Sequence, residues 1–351
     1  DAVLYAINRI KAYAKSWGFG GVYWDGCLGV WAGFDFEGKR NVPSGKYEDY
    51  VDLNARNHRF WNQILKADDP YFGTWLNWGL EGATGDFAKR HGITIWRGTG
   101  VEDDPRDDNV RAATDAKNVM LLDEHQNFTG EEYRKLLRDR LRSRDHYVQK
   151  YGASHIIGYA NVGVDLQEPG ATKWGWPAWN HVMSLLIATQ SHLASSFVPS
   201  QRPGMQFMTR YSRFIWARDI RAVPAQIAEQ DVQVKSGEEL WWKRLVYQRK
   251  TAAGRDVIIH LLRIPPTPTV DYAWADAPAL FKGVQVTMNA PGERLQTAQA
   301  CRAYHYEEPQ QVVQQEMGVT TSGPEVTVSV PPFRYHTMLV LRFTAAANKK
   351  R

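Results

Sequence analysis

Val119-Met120-Leu121-Leu122-Asp123-Glu124-His125 is the stretch on which the reading of this chain turns. Four apolar residues in a row, with no helical spacing around them, predict a short strand of the kind buried in a parallel sheet. The run ends on two carboxylates and an imidazole, so ionisable groups fall at the strand's C-terminal end.

Outward from this strand the pattern repeats. Gly21-Val22-Tyr23-Trp24 predicts a strand closing on Asp25-Gly26, and Phe72 to Trp78, His155 to Ala160 and Ser195 to Val198 predict three more. Thr94 to Trp96 reads as a minor strand. Helical spacing runs from Val3 to Trp17 and stops at Gly18. Further helices are expected over Tyr47 to Lys66, Glu131 to Tyr151, Pro177 to Gln190 and Met205 to Val223. Short apolar strands alternating with long helices imply βαβ units. Polar and aromatic residues gather at the strand ends, where a (β/α) barrel keeps its active site.

After about Gln226 the helical spacing gives way to strand-like runs. These are Val232 to Val234, Trp241 to Gln248, Asp256 to Leu262, Val284 to Met288, Arg302 to Tyr306, Val326 to Val330 and Met338 to Phe343. They predict an antiparallel β-sandwich of seven strands. The expected fold class is thus α/β plus all-β, a (β/α)8-type barrel followed by a sandwich. Residues 1–225 form the barrel domain, 226–345 the sandwich and 346–351 a tail.

Composition narrows the function. Of 351 residues, 23% are charged and 43% hydrophobic, which excludes a disordered or collagen-like chain. The net charge is 43 − 38 = +5 and is dispersed apart from Lys349-Lys350-Arg351, so no nucleic-acid partner is expected. No run approaches the roughly 18 apolar residues of a membrane span. Cys27 and Cys301 exclude a disulfide scaffold and leave one bridge or two free thiols open. The start at Asp1, inside a helical pattern, reads as a processed or truncated end. The expected compartment is extracellular or periplasmic, although the chain shows no signal peptide.

Two carboxylates are candidates for chemistry. Asp25, at a strand end beside aromatic residues, is suited to attack an anomeric carbon; a turn or capping Asp fits the same spacing. Glu124 is suited to protonate a departing glycosidic oxygen if burial raises its pKa. Asp123 competes for that role because successive strand residues face opposite sides, and a rim salt bridge is the plainer alternative. Trp24, Trp31, Trp75 and Trp78 offer flat apolar faces for sugar rings, with Asn77, Asp123, His125 and Tyr159 as polar substrate contacts. Core packing accounts for at least half of the 14 tryptophans. His155, His181 and His192 lack metal-ligand spacing, and the acidic stretch Glu102 to Asp108 reads as a solvated loop rather than a calcium site. No nucleophile elbow, P-loop or dinucleotide fingerprint is present.

At these residues the chain resembles glycoside hydrolase family 66, the dextranases and cycloisomaltooligosaccharide glucanotransferases. Gly21 to Gly26 resembles that family's fourth barrel strand, and Val119 to His125 its sixth. Met205 to Arg221, with Tyr211 and Phe214-Ile215-Trp216-Ala217-Arg218-Asp219, resembles the helix after its barrel, and Asp256 to Leu262 a strand of its β-domain. Gly26, Cys27 and His125 depart from the family pattern, and the insert from Trp31 to Tyr50 has no obvious counterpart.

The resemblance implies a retaining glycoside hydrolase or transglycosylase acting on a dextran-type α-glucan. Asp25 would be the nucleophile and Glu124 the acid/base, their carboxyl groups about 5–5.5 Å apart. No metal or organic cofactor is implied. Two rivals stand beside it: an inactive carbohydrate-binding protein on a degenerate barrel, and a retaining glycosidase acting on α-galactosides. The resemblance begins at the fourth strand, and only about five barrel strands are legible. The first three βα units are therefore expected from a second polypeptide, a cleaved N-terminal fragment or another part of the gene product.

Overall fold

The structure is a computed structural model. It describes residues 2–19, 21–24, 37–39, 60–61, 63–68, 73–77, 119–126, 134, 137–138, 141, 144–145, 155–160, 183–190, 192–193, 202–217, 219–264, 278–302 and 314–346. The chain divides into two compact units. One takes in residues 1–126, 142–161 and 192–194, the other 127–141, 162–191 and 195–351.

The first unit holds a parallel sheet. Its strands are β1 (Gly21–Trp24), β2 (Gly73–Asn77), β3 (Val119–Gln126), β4 (His155–Ala160) and β5 (His192–Leu193). They lie side by side in chain order, every neighbouring pair parallel, as successive βα units require. Among the described residues the sheet is open and does not close into a barrel. The strand expected over 195–198 lies outside the described residues, as do the minor strand at 94–96 and the loop at 102–108.

Helix α1 (Ala2–Trp17) follows the predicted spacing. It buries Ile7 and Ala14 against Leu65, with Val22, Trp61 and Ile64 packed around them. Lys11 reaches the Ile64 carbonyl at 3.1 Å and Asp68 at 2.7 Å, and this ammonium holds the Asp68 carboxyl below its ordinary pKa.

The second unit is built on two antiparallel sheets. The larger runs β13 (Gln314–Glu316), β12 (Glu293–Cys301), β16 (His336–Ala345), β10 (Gly254–Arg263), β9 (Val246–Thr251), β6 (Arg221–Ala222), with β8 (Leu240–Trp241) also on β10. The smaller runs β14 (Gly318–Ser322), β15 (Glu325–Val330), β11 (Val284–Asn289), β7 (Val232–Lys235). Val257, Ile259, Leu261, Leu339, Leu341 and Phe343 of the larger sheet share one apolar cluster with Val286, Met288, Val326 and Val328 of the smaller. That cluster is the sandwich core.

The opposite face of the larger sheet is also buried. Ile258, His260, Leu262, Met338 and Val340 lie there, in the alternate register. Helix α2 (Arg202–Arg210) sets the Phe207 ring edge-on to His336, centroids 5.9 Å apart. The Tyr247 hydroxyl donates to the Ala188 carbonyl at 2.7 Å. Gly204 of α2 abuts the Met183 methyl, which would have to move aside for a Cβ. Gly254 is required more strictly, since its Cβ would run into the backbone of Phe343 and Thr344 on the neighbouring strand.

His260, His336, Asp256 and Thr337 are buried polar groups on this sheet. His260 Nδ1 and His336 Nε2 are 2.9 Å apart. The ring planes differ by 17° and the centroids are 5.1 Å apart, so the rings meet edge to edge along a hydrogen bond lying in both planes. The Asp256 carboxylate, with no exposed surface, is held between Arg249 at 3.0 Å and Arg342 at 2.8 Å. Both arginines stand directly opposite it on the flanking strands.

Several boundaries differ from the sequence reading. The helix expected to Val223 ends sooner: α2 ends at Arg210, one turn of α3 (Ser212–Ile215) follows after Tyr211, and Arg221 and Ala222 pair with β9 instead. Pairing to an existing sheet edge overrides helical spacing there. A short helix α4 (Ala225–Asp231) begins after Pro224, whose fixed φ suits a helix start. The run from Trp241 to Gln248 splits into β8 and β9 at a turn closed by Leu245 N–H on the Trp242 carbonyl, 2.7 Å. Strands β12, β13 and β14 were not expected at all. Of the strand predicted over 302–306, Arg302 is outside any strand and the rest lies outside the described residues.

Two measurements test this packing. Asp256→Ala removes the carboxylate that compensates two guanidiniums and is expected to cost about 3 kcal/mol in urea unfolding. Arg342→Ala, which leaves Arg249 in place, should cost about 1 kcal/mol; equal effects would contradict the clamp. Burial pushes the Cys301 thiol up to about 11 from its ordinary 9.0. At pH 8 it is neutral and enclosed, so a disulfide reagent should label Cys301 only as the protein unfolds; fast labelling of the native protein would refute its enclosure.

Candidate active site

The parallel register brings the C-terminal ends of β1 to β4 to one edge of the sheet. Trp24 is level with Leu76, Leu76 with Leu121, and Leu121 with Ile156. The next level is Asn77, Leu122, Ile157 and His192, and the one above it Asp123, Gly158 and Leu193. Trp24, Asn77 and Asp123 thus sit at successive levels on three adjacent strands. Trp75 pairs with Tyr23 and Met120, two levels below Asn77 on β2.

Glu124 and His125 belong to β3 as well, where the register breaks. Asp123 pairs with Gly158 and Gln126 with Ala160, so three steps on β3 span two on β4. One extra residue is accommodated at Glu124-His125. Bulges of this kind bend a strand and redirect a side chain, and they recur beside active sites. Tyr159 lies on β4 within the same irregularity. The sequence placed the carboxylates at the end of this strand but carried no sign of the bulge, because neither Gly nor Pro marks it.

Asp25 directly follows Trp24 in sequence but lies outside the described residues, as do Trp31 and Trp78. Among the described residues, Trp24, Asn77, Asp123, Glu124, His125 and Tyr159 are therefore the ones the sheet gathers at this edge. His155 starts β4 level with Met120, whereas His192 is level with Ile157, so the two histidines are separated along the sheet. No group of three His, Cys, Asp or Glu able to hold a metal occurs among the described residues. No helix among them is long and apolar enough to cross a membrane.

No protein-family model and no curated protein matches the chain. Among solved structures, the chain is similar to a cycloisomaltooligosaccharide glucanotransferase from a Paenibacillus species, solved with cycloisomaltoheptaose. The TM-score is 0.55 at 10% identity, covering 95% of this chain and 65% of that one. This chain therefore spans somewhat under two thirds of that protein's length. The similarity is one of fold.

Two α-L-arabinofuranosidases give lower scores. One is a family 51 enzyme from Bifidobacterium longum, with a TM-score of 0.34 at 9% identity over 86% of this chain and 71% of that one. The other, from Thermotoga maritima, has a TM-score of 0.35 at 11% identity over 83% and 62%. Neither score carries an argument about fold or function.

Proposed function

We propose that this chain is the catalytic part of a glycoside hydrolase or transglycosylase that acts on a dextran-type α-glucan with retention of configuration. The observation that supports it best is the bulged end of β3, which carries Asp123 and Glu124 beyond the last paired residue of β2. The fold-level likeness to a glucanotransferase points the same way, as do the family 66-like motifs around Asp25 and Glu124.

In this reading Asp25 attacks the anomeric carbon while Glu124 protonates the leaving oxygen, giving a covalent glycosyl-enzyme. Glu124 then deprotonates an incoming water or sugar hydroxyl, whose oxygen displaces Asp25. The two carboxyl groups would then lie about 5–5.5 Å apart, the retaining geometry. Trp24, Trp31, Trp75 and Trp78 supply stacking faces; Asn77, Asp123, His125 and Tyr159 supply hydrogen bonds to hydroxyls.

The proposed organisation is a barrel-type catalytic domain over 1–225, a sandwich over 226–345 and a tail over 346–351. Closure of the barrel belongs to the proposal. In its favour, β1 and β5 each have one partner among the described strands, and α1 leaves Tyr5, Tyr13 and Trp17 exposed. The second polypeptide expected from the strand count has no support in the comparisons and is not part of the proposal. A carbohydrate substrate and an extracellular or periplasmic site of action complete it.

The test is turnover on dextran, starch and α-galactan by wild type, Asp25→Asn and Glu124→Gln. Wild type should release sugars from dextran, and each substitution should lower kcat by about 10³-fold or more. Full activity in either variant removes that carboxylate from the mechanism. Binding without turnover by wild type supports the inactive-barrel reading, and preference for α-galactan the other glycosidase reading.

A further inference from the structure

Strand β14 forms one edge of the smaller sheet, and all of its residues, Gly318-Val319-Thr320-Thr321-Ser322, are exposed. An open edge invites pairing with another chain, and proteins commonly guard it with charge or proline. The other strands that end the two sheets of this unit carry such a charge: Lys235 on β7, Glu316 on β13 and Arg221 on β6. β14 contains neither a charge nor a proline. Its central Val-Thr-Thr is among the best strand-forming sequence.

The hairpin into β15 fixes which groups the edge presents. Ser322 and Glu325 face each other across the two-residue turn Gly323-Pro324, the position of a hydrogen-bonded pair. Pairs alternate from there, so Thr320 with Thr327 and Gly318 with Ser329 are of the same kind. Val319 and Thr321 therefore turn their N–H and C=O groups away from β15. Among the described residues no backbone group bonds to these four. The Val319 side chain, level with Val328 at the rim of the core, is still 45% exposed.

We infer that β14 pairs antiparallel with β14 of a second copy of this chain, about a two-fold axis through Thr320. In that register Val319 of each copy faces Thr321 of the other, and every outward N–H and C=O finds a partner. Gly318 faces Ser322, and Thr320 faces its own copy as a non-hydrogen-bonded pair, the kind whose side chains approach most closely. The Thr320 hydroxyls then meet as those of Thr287 and Thr327 do at 2.9 Å within the sheet. Val319 packs beside Thr321 of the other copy, a favourable β-branched pair made twice. Any strand could offer a backbone; what selects a second copy is that one symmetric register completes both edges at once.

Charge does not oppose this seam. Glu325, level with Ser322, stands three strand spacings and four residues from its own copy, about 20 Å, beyond the screening length of about 8 Å. Glu316 belongs to β13 of the larger sheet. The seam joins two four-stranded sheets into one of eight. So short a contact falls below the roughly 1,000 Å² of a stable interface, giving a weak dimer with Kd on the order of tens of micromolar. The inference concerns the second unit alone and is independent of the carbohydrate reading.

Analytical ultracentrifugation of the full chain, from micromolar to near-millimolar concentration, tests it. Wild type should pass from monomer to dimer over that range. Thr320→Lys sets two ammonium groups against each other at the axis and should weaken dimerisation about tenfold or more. Val319→Pro removes an outward N–H while sparing the ladder to β15, and should weaken it about tenfold. Both variants should keep the wild-type midpoint in urea. Thr320→Cys, in a Cys27→Ser background, should oxidise to a covalent dimer, because non-hydrogen-bonded partners have Cα atoms about 4.5 Å apart. Val319→Cys, whose copy lies about 8 Å away, should not. A monomer at every concentration overturns the inference and leaves the edge to a foreign strand. A dimer that neither Thr320→Lys nor Val319→Pro weakens also overturns it, as does cross-linking through Val319→Cys but not Thr320→Cys.

Discussion

The pairing of β10 with β16 is the constraint on which the second unit depends. Nine residues from Gly254 to Leu262 lie opposite Thr344 to His336, and the strands are buried on both faces. Antiparallel strands with one wet face would alternate apolar and polar side chains. Here one set of residues makes the sandwich core while the other lies under α2 and residues 183–190. Hydrophobic burial on both sides fixes the register, because a slip of one residue would exchange the two sets. The polar groups that must lie on this sheet are then paired in place: His260 with His336, and Asp256 with Arg249 and Arg342.

This double burial also explains which strands were legible in the sequence. Asp256 to Leu262 and Met338 to Phe343 are largely apolar runs, interrupted only by Asp256, His260 and Arg342, and both form strands close to where they were expected. Val284 to Met288 and Val326 to Val330 alternate cleanly and face the core from the other sheet. By contrast, Glu293-Arg294-Leu295-Gln296-Thr297-Ala298-Gln299-Ala300-Cys301 has small or polar residues at most inward positions and a register break between Leu295 and Thr297. Its alternation is too faint to read locally, and pairing to β16 imposes the strand. Strand β14 is exposed along its whole length and had no apolar signal to offer.

For the parallel sheet, short apolar runs at β1, β3 and β4 announced themselves, and chain-order pairing follows from βαβ connections. The candidate site was legible to the level of strand ends: residue types and their positions could be read, and the register then set Trp24, Asn77 and Asp123 on successive levels. The bulge at Glu124-His125 was not legible, since it arises from the mismatch between two strands far apart in sequence. Likewise the outward row of Thr320, Thr327, Thr287 and Gln233 exists only after four separate strands are paired, and neither feature has a local sequence signature.

The proposed mechanism has Asp25 and Glu124 work through a covalent intermediate on an α-glucan. Proton NMR of the products in the first minutes of dextran cleavage, before mutarotation mixes the anomers, tests it most directly. The account predicts that the newly released reducing ends, or the newly formed glycosidic bonds, carry the α configuration of the substrate. First-formed β-anomeric product would mean inversion, with carboxyl groups about 6.5–9.5 Å apart, and would contradict the assignment of Asp25 as nucleophile.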